Sequence, residues 1–204
     1  MLLVVDRNYD GKHGHLISLT MIERIPFQVT CASISYDRIP GLPVSILLDN
    51  LRSTYNVGSF FRTADAAGIE KLYLSGITAV PPHKGISKTA LGAEQTVPWE
   101  RVPSVPKLLE DLRARSYEVA AIETSNRAVD LFDWQPSFPV CILFGHEVEG
   151  LPEELTERAD RHVRIPMLGM KHSLNVATAG GIVIYELLRK YRRLSENLLL
   201  GTNP

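Results

Sequence analysis

Short apolar runs alternate along this chain with segments in which apolar residues recur every three or four positions. The run "VSILLDN" (44–50) ends in polar residues, "NVGSFFRTADAAG" (56–68) places Val57, Phe60, Phe61 and Ala64 at helical spacing, and "KLYLSG" (71–76) is the next run. Together they predict a β-α-β unit. After a loop rich in proline and glycine (77–88), a helix is predicted over 103–116 with Leu108, Leu109 and Leu112 on one side, then a strand at 118–123. The alternation continues with a strand at 139–145, a short helix at 152–159, a strand at 162–167 and a terminal helix at 173–193. Strands that are apolar throughout and separated by helices belong to a mostly parallel sheet with helices on both faces, so the fold class is α/β. Residues 1–43 fit the alternation less well and read as an extension of uncertain role, and 194–204 read as a tail.

The terminal helix poses a question of its own. "HSLNVATAGGIVIYELL" (172–188) is apolar almost all round and carries Gly180 and Gly181 in its middle. Each glycine costs roughly 0.5–1 kcal/mol relative to alanine in a helix interior, a cost that is offset where a neighbouring backbone must come close. Ser173 is expected to cap this helix, and Asn175 to lie at a buried end where its amide needs partners.

Composition narrows the classes. With 204 residues, 45% hydrophobic and 22% charged, the chain is long enough for one sizeable core. No apolar run reaches the ~18–20 residues a membrane span needs, and "MLLVVDRNYDGK" is charged too early for a secretory signal, so the expectation is a cytoplasmic protein with no membrane partner. Cys31 and Cys141 lie far apart in strand-like contexts, which argues against a disulfide framework or a metal site and fits a reducing compartment. The net charge of −1 means that any nucleic acid must be held by local basic patches.

In an open parallel sheet the site lies in the loops after the carboxyl ends of the strands. Three such loops are dense in functional groups: 49–62, 144–150 and 166–175. In the first, Asn56 and Gly58 stand where the helix begins and Arg62 lies six residues on; Asn56 reads either as a helix cap or, with Gly58, as a place where a sugar or phosphate meets backbone. In the second, Gly145 and Gly150 bracket Glu147 and Glu149, with Glu147 able to anchor a loop by accepting backbone N–H groups; nothing else supports glycosidase chemistry. The third has Gly169, Lys171, His172 and Ser173 but not the spacing of a phosphate loop, and no strand is followed by GxGxxG.

Taken jointly, the three loops resemble the SpoU/TrmH family of SPOUT-class RNA ribose 2'-O-methyltransferases. The first family motif is matched by "LLDNLRSTYNVGSFFRTADAAGIEKLYLSG" (47–76), the second by "CILFGHEVEGLPEELTERADRHVRIPM" (141–167) and the third by "KHSLNVATAGGIVIYELLRK" (171–190); "KTALGAEQTVPWE" (88–100) is similar to the family's intermotif region. His146 departs from the asparagine that many members carry there. The resemblance implies a methyltransferase domain over 44–193, a C-terminal deep trefoil knot, a homodimer, and S-adenosylmethionine as cofactor without a metal. It implies cofactor contacts at Thr124, Gly145, Ile165 and Leu174, and catalytic roles for Arg62, Asn56, Glu147, Ser173 and Asn175. In it the knot is what brings another backbone close to the two glycines.

Substrate RNA is expected on Arg52, Lys84 and Lys88, and at "RKYRR" (189–193), where basic residues equally suit a helix carboxyl end. By analogy with compact members the substrate is tRNA, with rRNA as the alternative. The competing readings are an inactive RNA-binding dimer of the same fold and an unrelated α/β enzyme acting on a small molecule.

Overall fold

The computed structural model describes residues 41–200, with side chains to residue 195; the expectations for residues 1–40, Cys31 among them, lie outside these bounds. Seven strands form one sheet in which every pairing is parallel: β1 (Leu42–Asp49), β2 (Ile69–Ser75), β3 (Trp99–Val102), β4 (Glu118–Ile122), β5 (Val129–Asp130), β6 (Val140–Phe144) and β7 (Arg161–Arg164). Their order is β3-β2-β1-β6-β4-β7-β5. The helices are α1 (Thr54–Ala67), α2 (Lys84–Ala90), α3 (Val105–Ala114), α4 (Glu153–Glu157) and α5 (Val176–Leu200).

The apolar runs follow from double coverage. On β1 and β6, Val44, Ile46, Leu48, Val140, Ile142 and Phe144 face α1, α2 and α5, whereas Leu47, Cys141 and Leu143 face α3 and α4. Alternate residues point to opposite faces, and both faces here are dry, so the strand interiors have almost no polar positions. Burial also pushes the Cys141 thiol up to about 12, which makes it a core side chain and not a reactive one.

The elements α2, β3 and β5 were not expected from the sequence. The loop expected over 77–88 contains most of α2, which is held less by its own seven residues than by its neighbour. The His83 ring accepts from the Gly85 N–H, and a Cβ on Gly58 would lie 2.1 Å from Thr89 Oγ1 and 2.3 Å from the Ile86 carbonyl. Gly58 therefore serves the close approach of α1 and α2, not a ligand. The short β3 and β5 were not legible either.

Helix α5 begins at Val176, three residues later than expected, and continues to Leu200. Its two glycines have different surroundings: a Cβ on Gly180 would sit 2.3 Å from Phe60 Cε1, while one on Gly181 would meet nothing within 4 Å. Phe60 is buried against Phe144 with ring centroids 5.1 Å apart, so Gly180 is the seat on which α5 docks against α1. The "RKYRR" patch is partly consumed by packing. Lys190 is buried and its Nζ donates to the carbonyls of Leu131 (2.7 Å), Phe132 (3.3 Å) and Trp134, and Arg189 pairs with Glu186 at 2.6 Å, leaving Arg192 and Arg193 exposed.

Candidate functional site

At the carboxyl edge of the sheet, the loops after β4, β6 and β7 and the start of α5 enclose a cleft of about 310 Å³. This is the lower end of the size range of small-molecule sites. Thr124, Gly145, Ile165 and Leu174, the four residues expected to hold a cofactor, all line it, together with Glu147 and Ser173. Ile122, Phe144, Val163 and Val176 supply apolar walls.

The wall between β6 and α4 is a tight loop. His146 N–H donates to the Gly150 carbonyl at 3.0 Å, Gly150 N–H returns to His146 at 2.9 Å, and the His146 Nδ1 accepts from the N–H groups of Val148 and Glu149, each at 3.2 Å. A Cβ on Gly145 would fall 2.3 Å from the Gly150 carbonyl carbon, and Gly150 has φ 74°, so both glycines are required by the turn. Glu123, at the end of β4, accepts the Leu151 N–H at 2.7 Å and fixes the loop to the neighbouring strand. Neither Glu123 nor the His146 ring was singled out from the sequence for this task; a carboxylate at the carboxyl end of a buried strand was the available signal.

Three loops are tied together by one chain of hydrogen bonds. Glu147 accepts from the backbone N–H of Arg52 and of Ser53, each at 3.0 Å, and from Asn56 Nδ2 at 3.2 Å. Asn56 Oδ1 accepts from Asn175 Nδ2 at 3.2 Å, and Asn175 Oδ1 accepts from the N–H groups of Ala177 (3.0 Å) and Thr178 (3.2 Å). Burial pushes the Glu147 carboxyl up, but the Arg52 and Ser53 N–H groups and the Asn56 amide outweigh it and hold the carboxyl below its ordinary value. Asn175 is thus the cap of α5, in the place expected for Ser173, and it is exposed where burial was expected. Asn56 in turn is not the cap of α1: Ser53 Oγ takes that role, accepting the Asn56 N–H at 3.3 Å.

Arg62 is exposed on α1 and does not line the cleft; at 3.6 residues per turn the six-residue step from Asn56 leaves it about 120° round the helix. Arg52, Lys84 and Lys88 are exposed near the start of α1, with Lys88 Nζ 5.5 Å from the centroid of the Tyr55 ring.

An all-parallel α/β sheet with a small-molecule cleft on its carboxyl edge, walled by turns from three loops, is the architecture of a ligand-using α/β protein. The chain belongs to the SpoU rRNA Methylase family, whose model matches residues 43–185. It is 33% identical over 157 residues to a protein of Staphylococcus haemolyticus (strain JCSC1435) named for the TrmH family of tRNA/rRNA methyltransferases, an alignment covering 77% of this chain and 63% of the relative. The chain therefore spans less than two thirds of that relative's length. Among solved structures it is similar to an AdoMet-bound rRNA methyltransferase from Sinorhizobium meliloti (32% identity, TM-score 0.67, 74% of this chain and 61% of that one). It is also similar to a structure described in terms of 2-OH methylation of C/U34 on tRNA (30% identity, TM-score 0.65, 73% and 96%).

Proposed function

We propose that this protein is an S-adenosylmethionine-dependent methyltransferase acting on a ribose 2'-hydroxyl of RNA, with tRNA as substrate. The observation that carries the reading is the cleft: the four residues matched to the family's cofactor contacts come from four separate segments and line one cavity. That cavity suits the cofactor, with apolar side chains for the adenosyl part and the turn backbone at Gly145 too close for any side chain to intrude. When bound, S-adenosylmethionine supplies an electrophilic methyl group on its sulfonium.

The chain's own residues then have separate tasks. Thr124, Gly145, Ile165 and Leu174 hold the cofactor. Glu147 fixes the backbone at Arg52 and Ser53, and Asn56 and Asn175 carry that order to the start of α5, next to Ser173 on the cleft wall. Positioning of two reactants is the larger part of such catalysis. Arg62 stabilises the oxygen as it loses its proton; a guanidinium remains protonated, so its role is electrostatic.

Because Arg62 lies outside its own cleft, we assign it to the cleft of a partner in a homodimer. The exposed Ile182 and Tyr185 on α5, with Gly181 open beside them, and the exposed Leu168 and Met170 support an apolar contact between copies. The trefoil knot belongs to the same reading, supported by α5, which follows β7, returning to pack on α1. Among the described residues no helix is long and apolar enough to cross a membrane, in keeping with the cytoplasmic location we propose.

Transfer of tritiated methyl from S-adenosylmethionine to total tRNA and, separately, to rRNA tests this. Label in tRNA that vanishes in Arg62→Ala is the expected result. Label in rRNA alone overturns the tRNA assignment, and no cofactor binding by calorimetry overturns the methyltransferase reading.

A further inference from the structure

A second cavity, of about 450 Å³, adjoins the first and is lined by Asn50, Ile77, His146, Glu149, Gly150 and Pro152. His146, Glu149 and Gly150 line both cavities, so the 146–150 turn is the partition between them. We propose that this second cavity holds a nucleobase of the substrate RNA, with Glu149 accepting from the exocyclic amino group of the base and His146 donating to an acceptor beside it. The inference rests on the function proposed above.

The ring of His146 fixes the donor. Its Nδ1 accepts two backbone N–H groups, so in the neutral ring the proton is on Nε2, at the opposite edge of the imidazole from the turn. Glu149 contributes an exposed carboxylate, which repels phosphate and attracts N–H donors. Ile77 is 65% exposed and, with Pro152, gives the apolar surface against which the face of a base packs.

The floor of this cavity is unusually well determined for a loop. Asn50 has φ 56°; its Oδ1 accepts the Ile77 N–H at 3.1 Å, and its Nδ2 donates to buried Asp49 at 2.8 Å, leaving one amide hydrogen over. Asp49 accepts from Ser75 Oγ at 2.5 Å, Thr78 Oγ1 accepts the Leu51 N–H and donates to the Leu48 carbonyl, each at 3.0 Å, and Arg101 donates to the carbonyls of Gly76 and Thr78. A Cβ on Gly76 would lie 2.0 Å from Asn50 Oδ1, so even the turn beside the asparagine is shaped around its amide. Such order at a left-handed, partly exposed asparagine is what a recognition surface requires and a mere connection does not.

The test is saturation-transfer NMR on the full chain with nucleoside 5'-monophosphates, with S-adenosylhomocysteine saturating so that the first cavity is filled. Guanosine and inosine monophosphate differ only in the exocyclic amino group that Glu149 is assigned to read, and cytidine and uridine monophosphate set an amino group against a carbonyl, with N3 changing from acceptor to donor. The amino-bearing member of each pair binds about tenfold more tightly to the native protein, a ratio that falls to near one in Glu149→Leu, which has no side-chain acceptor. In His146→Asn, which keeps an acceptor for the turn but shortens the side chain, both members weaken. Equal binding within each pair, or ratios unchanged by Glu149→Leu, overturns the proposal. Failure of methyl transfer to total tRNA with the ratios intact overturns instead the function on which it rests.

Discussion

The two halves of the cleft region are built on different principles. The loops after β1, β2 and β6 are pinned at nearly every turn: Asp49, Ser75, Thr78, Glu123, His146 and Glu147 each hold backbone or one another. The segment 166–175, which closes the other side, has Leu168 and Met170 fully exposed and is fastened chiefly where Asn175 meets Asn56. The contrast teaches that one half is a preformed template, while the other is finished by what binds to it: cofactor on one face and, in our reading, a partner protomer on the other.

The sharpest test of that division is Arg62→Ala. If the template holds the cofactor and the arginine acts only on the reacting oxygen, methyl transfer falls by about 10²–10³-fold while cofactor affinity measured by calorimetry changes less than about twofold. An equal loss of cofactor affinity would break the comparison. Next in size is Gly180→Ala, where a new methyl must displace the Phe60 ring. It costs about 1–3 kcal/mol in urea unfolding. Gly181→Ala, which meets no atom of its own protomer, leaves the protomer's stability unchanged or raises it by up to ~1 kcal/mol. Any harm it does shows in the oligomeric state, read by sedimentation.

Glu147→Ala leaves three donors without their acceptor and costs about 1–3 kcal/mol, with faster proteolysis at 166–175 as the link through Asn56 loosens. Acid should do the same more gently. The folded carboxyl titrates below its ordinary 4.5, so its contribution is complete above that value and is lost as pH falls through the lower folded value. Hydrogen exchange at the Arg52 and Ser53 amides followed from pH 6 downward reports this, and a flat profile would remove Glu147 from its anchoring role.

Five of the seven strands were legible because their physics is local to each strand: runs such as 139–145 are apolar on both faces and leave no competing assignment. Helix α2 was not, since Lys84–Ala90 is stabilised by the notch at Gly58 on another helix, a contact that no window of sequence displays. The helix caps erred by two or three residues in the same direction of reasoning. At both α1 and α5 several small polar residues compete for the capping position, and tertiary partners decide: Asn56 is drawn to Glu147 and leaves Ser53 to cap, while Asn175 caps α5 and Ser173 lies free of it on the cleft wall. The site itself was half legible. Asn56, Glu147 and Asn175 from the three motif loops are hydrogen-bonded together while Arg62 does not line the cleft, and the partition made by His146 and the strut from Glu123 depend on distances across the sheet that only the folded chain supplies.

The seating of Gly180 on Phe60 also sets an order of events at the ribosome. Helix α1 emerges from the exit tunnel roughly 120 residues ahead of its counterpart on α5, an interval on the order of ten seconds at ordinary elongation rates. Throughout it the nascent chain presents an uncovered aromatic ring and an Asn56 with no Asn175 to meet. A chain cut short before α5 lacks both the helix that covers Phe60 and the partner of Asn56, and it is expected to be degraded faster than the full chain.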